Sequence, residues 1–132
     1  MAATFTDHLD LLVDTVTVNA GASALSGQED IGAATSIRRG KMFVEITGYA
    51  AAPAGNKLAK LAVSSIHTDG GAAFDDAGVE HPWTVAADQL YQFGIAVDPN
   101  SRYYQAVFTN DTNQNTDADA VSVWFAWLGG TL

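Results

Sequence analysis

Apolar and polar side chains alternate along much of this chain with a period of two, in runs of six to ten residues. Tyr91, Phe93, Ile95 and Val97 alternate with Gln92, Gly94 and Ala96, the rhythm of a strand with one buried face. The stretch 41–47 puts Met42, Val44 and Ile46 on one side and Phe43 on the other. In 102–109, Tyr103, Gln105, Val107 and Thr109 oppose Arg102, Tyr104, Ala106 and Phe108. The β-branched run 14–18 reads as a strand. The stretch 57–68 fits a helical stripe through Leu58, Leu61 and Ala62, but Val63, Ile66, Thr68 and the Ser64-Ser65 pair favour a strand. Trp83-Thr84-Val85 is a further short strand, and His81-Pro82 argues against a central strand at that point.

Between these runs lie turn signals. Residues 19–32 are small, polar and glycine-rich, 50–56 contain Pro53 and Gly55, and 68–71 end in Gly70-Gly71. Asp98-Pro99-Asn100 places proline at the second position of a turn. Residues 74–78 read as irregular edge and 110–119 as a polar loop. Seven or eight short strands so separated predict an all-β fold, a jelly roll or β-sandwich of two packed, mostly antiparallel sheets. The 132 residues predict one domain, 1–132. Residues 1–14 read as a short N-terminal arm, and within it 6–13 fit either one helical turn capped by Thr6 or an extended lead into the first strand.

The last strand, 121–128, is apolar on both sides. Val121, Val123, Phe125 and Trp127 share one face, and Ser122, Trp124, Ala126 and Leu128 the other. A strand of a two-layer domain has one face on its own core, so Trp124 and Leu128 need a cover. A loop, the arm through Leu9, Leu11 and Leu12, or another subunit can supply it, and the low overall charge favours a subunit or capsid contact.

Composition narrows the function classes. Six basic against fifteen acidic residues give a net charge of -9, and the basic ones are scattered, which disfavours a phosphate backbone as partner. Only 16% of residues are charged against 48% apolar, so weakly polar surface is expected to be left for partners. The chain has no cysteine, which removes thiol catalysis, disulfides and thiolate metal sites. The first thirty residues lack a basic start followed by an apolar run, and no stretch is apolar for long enough to span a bilayer as a helix. The chain is therefore expected to be cytoplasmic, without a membrane partner.

Catalytic chemistry finds no foothold. His8, His67 and His81 form no metal spacing or triad order, Ser64-Ser65 is no nucleophile elbow, and 27–32 lacks the spacing and lysine of a phosphate loop. Asp75-Asp76 reads as two neighbouring turn residues. The chain is expected to be no enzyme and to need no cofactor. Asp111, Asn113, Asn115 and Asp117 alternate like the start of a calcium loop, but position six is Thr116 and position twelve Ser122 where that loop needs Gly and Glu. A solvated loop is the expected reading. A rival function is sugar binding on exposed aromatics, for which Trp83, Trp124, Trp127, Tyr103 and Tyr104 are the candidates; aromatics in a small β protein are more commonly core or interface.

Several segments together, namely Leu9-x-Leu11-Leu12, the 19–32 region, Phe43-Val44-Glu45-Ile46, and Ser101-Arg102-Tyr103-Tyr104 with Val107 and Phe108, give a pattern that resembles one family. It is similar to the small capsid cement, or decoration, proteins of tailed bacteriophages, of the jelly-roll type carried on podovirus-like heads. In that type an Arg-Tyr pair follows a proline turn and opens a late strand, as Pro99 and Arg102-Tyr103 do here. The chain departs from the pattern in its 110–119 loop and its Trp-rich end. The resemblance implies a virion structural protein on the outer capsid surface, made in the host cytoplasm, that clamps neighbouring major capsid proteins against the pressure of packaged DNA. It implies a symmetric homo-oligomer, dimer or trimer, with no direct nucleic-acid contact. Arg102 is then a sheet-edge residue, either paired with Asp98 or set against a carboxylate of the major capsid protein. A head-tail or tail component would share these features.

Overall fold

The computed structural model describes residues 4–31, 37–54, 57–66, 79–87, 89–97 and 103–131. They form nine strands: β1 (Thr4–Val16), β2 (Ser23–Leu25), β3 (Glu29–Asp30), β4 (Ile37–Ile46), β5 (Lys57–Ile66), β6 (Val79–Thr84), β7 (Tyr91–Val97), β8 (Tyr103–Thr112) and β9 (Val121–Thr131). One sheet, A, has the order β1-β9-β4-β7; the other, B, has β2-β8-β5-β6, with β3 also paired to β8. Every pairing is antiparallel.

The pairs β1 with β9, β2 with β8, β4 with β7 and β5 with β6 are nested like one long hairpin. Rolling that ribbon over itself creates the contacts of β9 with β4 and of β8 with β5. This is jelly-roll topology, the more specific of the two expected architectures. Pro82 lies on β6, at the end of sheet B, where a missing N–H is tolerated.

The core lies between the sheets, and each strand gives it one of its two alternating sides. Met42, Val44 and Ile46 from β4, Tyr104, Ala106 and Phe108 from β8, and Val121, Val123 and Phe125 from β9 are all buried. Tyr104 meets Phe125 edge-on, with ring centroids 5.7 Å apart. Each buried Val, Ile, Met or Phe among them contributes about 1.5–3 kcal/mol by leaving water.

Of the two readings of the N-terminal segment the extended one holds, and the strand begins earlier than expected. Neither a loose arm nor a helical turn, β1 runs along β9 from Thr4↔Thr131 to Val16↔Val121. The edge of β9 would otherwise carry unpaired N–H and C=O groups, and β1 pairs along it at ten positions. Register breaks at Leu11/Val13 and Val13/Val16. The first lets Val13 turn inward directly after Leu12, while Leu11 stays outward. At the second, Thr15 adopts φ 40° and its N–H donates to Ser122 Oγ at 3.2 Å. The region 19–32, read as loop, contains the short strands β2 and β3.

Candidate functional site

The outward faces of the two sheets differ. On sheet B, Ser23 and Thr109 share a hydrogen bond (2.8 Å), and Lys60 pairs with Asp111 (3.3 Å) and Glu80 (3.6 Å). These polar groups satisfy one another across four strands. On sheet A the middle is apolar. Residues directly opposite in an antiparallel ladder lie on one face, and three rows cross β1, β9 and β4: Asp7, Leu128, Arg39; then Leu9, Ala126, Lys41; then Leu11, Trp124, Phe43. Trp124 stacks on Phe43 with ring centroids 6.4 Å apart. Leu9 is 60% and Leu11 40% exposed.

The predicted sides of β9 are therefore observed, with Val121, Val123 and Phe125 fully buried and Trp124, Ala126 and Leu128 outward and half-buried. The proposed intramolecular cover is overturned. Leu9 and Leu11 belong to the same sheet as Trp124, so they widen its apolar face instead of roofing it, and Leu12 packs on the core. Phe43, Asp7, Arg39 and Lys41 complete the face. The alternation of β4 already marked Phe43 as outward, but nothing local tells that β4 lies beside β9. At Gly94 an added Cβ would collide with the Lys41 side chain, which lies across it. A shallow depression of about 360 Å³ opens at the Asp7 end, floored by Ala126 and Leu128 and flanked by Arg39 and Lys41.

At the same end of the sandwich, the inner side of β1 carries polar residues. Trp127 Nε1 donates to Asp10 Oδ2 at 2.6 Å, and the indole stacks on His8 at 3.9 Å. Glu29, reaching across from sheet B, hydrogen-bonds Asp10, so two carboxyl groups join the sheets. Desolvation, then that hydrogen bond, then the charges of Asp10 and Asp30 raise the Glu29 pKa from 4.5 to about 7. A protonated Glu29 can donate to the Asp10 carboxylate; two ionised groups there repel.

A raised carboxyl pKa means that the folded chain holds its proton more tightly than the unfolded chain. The resulting stabilisation is complete below pH 4.5 and is lost as pH climbs to about 7. Solvent screening at this partly exposed pair reduces the effect to about 1–2 kcal/mol. Glu29→Gln, whose amide can donate to Asp10 at any pH, is expected to flatten this part of the stability profile. Urea midpoints of both proteins between pH 4.5 and 8 check it, and parallel curves would refute it.

The residues read as a calcium-loop start are brought together for another purpose. Asn113 Oδ1 accepts the N–H of Ala54 and Asn115 Oδ1 that of Ala20, each at 2.9 Å, while Asp111 faces Lys60 and Asp117 is exposed. The alternating oxygens cap neighbouring loops. Among the described residues no cluster of three His, Asp or Glu side chains could hold a metal ion.

The sugar-platform candidates do not converge. Trp83 stacks on Phe93 (4.6 Å) against the core, Tyr104 is buried, Trp127 lies with His8, and Trp124 is on the opposite side of β9. Tyr103, half-buried, opens β8. Arg102, Asp98, Pro99, His67, Asp75 and Asp76 lie outside the described residues.

No protein-family model matches the chain, and no curated protein matches it. Among solved structures it is similar to dimeric latent PorU from Porphyromonas gingivalis, at 12% identity and a TM-score of 0.49. The alignment covers 96% of this chain and 13% of that one, a likeness too distant to bear on function.

Proposed function

We propose that this chain is a virion structural protein that decorates a bacteriophage capsid and stabilises it by clamping neighbouring major capsid proteins. The observation that carries the reading is the apolar outer face of sheet A, where Leu9, Leu11, Phe43, Trp124, Ala126 and Leu128 lie together with no segment of the described chain over them. A contiguous outward apolar area on a small domain marks an assembly surface. The sequence resemblance to capsid cement proteins supplies the kind of assembly, and a rigid jelly roll whose loops are tied to one another suits a load-bearing clip.

Co-sedimentation with expanded, undecorated phage shells tests the proposal. The protein is expected to pellet saturably with shells, and Leu9→Ser/Leu11→Ser, at positions already open to water, is expected to weaken binding about tenfold or more while leaving the fold intact. Absence of the wild-type protein from the shell pellet overturns the proposal.

A further inference from the structure

The charge pattern on sheet A identifies what that face accepts. Across the first of the three rows, Asp7 on β1 and Arg39 on β4 flank Leu128 of β9. Both are exposed. They sit at opposite sides of the apolar strip, two strand spacings or about 10 Å apart, with Leu128 between them, and among the described residues they do not pair with each other. Of the chain's cations, Lys60 is bound by Asp111 and Glu80. Arg39 and Lys41 have no ion pair among the described residues.

An acid, an apolar row and a base in register form a self-complementary set. A two-fold axis lying between two facing sheets and parallel to β9 exchanges the β1 side of one copy with the β4 side of the other, without moving any residue along the strand. Asp7 of each copy then faces Arg39 of its mate, twice over. Leu11 faces Phe43, Leu9 faces the aliphatic stem of Lys41, and Trp124, Ala126 and Leu128 line the axis. A two-fold perpendicular to the strands would lay β1 on β1 and match none of these charges. The overlap is three strands wide, β1, β9 and β4 over the ten residues of β4, about 14 by 33 Å or roughly 480 Å² per copy, at the small end of specific interfaces. Sheets facing in this way pack at the usual aligned angle.

We propose that the outer face of sheet A is a two-fold homodimer interface in this register, with reciprocal Asp7–Arg39 pairs closing an apolar centre around Trp124. The proposal rests on reading that face as the assembly surface; it names a second copy of this chain as the occupant, so that the dimer is the unit that binds the shell and Leu9 and Leu11 act on shell binding through it.

Charge reversal tests it in solution without shells. By sedimentation at concentrations up to about 100 µM, wild type is expected at twice the chain mass. Asp7→Arg and Arg39→Asp, each bringing like charges together twice, are each expected to be at least tenfold weaker dimers. An equimolar mixture of the two variants is expected to recover dimers, because each then offers the charge the other lacks; the double variant recovers them too. Trp124→Ser, checked for fold by circular dichroism, is expected to sediment as monomer. A wild-type monomer or trimer, single variants that dimerise as wild type does, or a mixture that stays monomeric overturns the proposal. Shell binding is read separately: a monomer that still pellets with shells overturns the pairing alone, and a dimer that does not pellet overturns the decoration role alone.

Discussion

Phe125→Ala is expected to lower the unfolding free energy by about 3–5 kcal/mol, the largest effect of any change considered on β9. Phe125 is fully buried, meets Tyr104 edge-on and sits among Met42, Val44 and Val123 between the sheets. Truncation leaves a cavity that two paired sheets cannot collapse to fill. The neighbouring Trp124→Ser provides the contrast. Trp124 is on the other side of the same strand, half-buried and touching Phe43, so its loss is expected to cost the monomer only about 1 kcal/mol, while association loses about 2 kcal/mol or more. Urea denaturation of both variants, combined with sedimentation, checks the pair. A Trp124 variant that unfolds as readily as the Phe125 variant would reverse the assignment of the two faces.

Asn110→Ala is expected to cost about 2–3 kcal/mol, although it removes only a small polar group. Asn110 is completely buried. Its amide nitrogen donates to Val18 O (3.0 Å) and Gln114 O (2.8 Å), and its Oδ1 accepts from Thr112 Oγ1 (2.7 Å). It therefore ties the end of β8 to the 17–22 loop and to the loop that follows. Around it Thr116 Oγ1 accepts the Val18 N–H, and Thr116 bridges Tyr49. Asn110→Asp is expected to be worse, since a carboxylate oxygen would replace the donor facing two carbonyls. Asn113→Ala, on the exposed side of the same loop, is expected to cost less than about 1 kcal/mol. Thermal unfolding of the three variants orders them, and calcium is expected to leave every Tm unchanged because the loop oxygens already serve backbone amides. Equal losses for Asn110→Ala and Asn113→Ala would refute the knot.

The paired carboxyls of Glu29 and Asp10 show why such features escape a reading of the chain alone. Glu29 lies in a segment whose composition signals only a loop, and nineteen positions separate it from Asp10. What raises its pKa is burial against a second sheet, a property of the folded space and not of the neighbouring residues. The same holds for Asn110, which in sequence is one more polar residue at the start of an Asn/Asp-rich stretch.

That this chain is all-β follows from its residues alone. The period-two alternation of β4, β7, β8 and β9 reports which side chains share a face, because successive residues of a strand point to opposite sides whatever lies beside them. On that ground Met42, Val44 and Ile46 were legible as one side of their strand, Tyr104, Ala106 and Phe108 as one side of theirs, and Phe125 as core with Trp124 and Leu128 outward. Alternation does not say which strands are neighbours. It is the folded sheet that shows β1, more than a hundred residues from β9 in sequence, closing its edge, and β4 flanking its other side. Such pairings are stabilised by ladder hydrogen bonds and by burial summed over the whole sheet, so no local stretch encodes them. That register turns Leu9 and Leu11 from a supposed lid into part of the apolar face, and brings Asp7, Leu128 and Arg39 into one row.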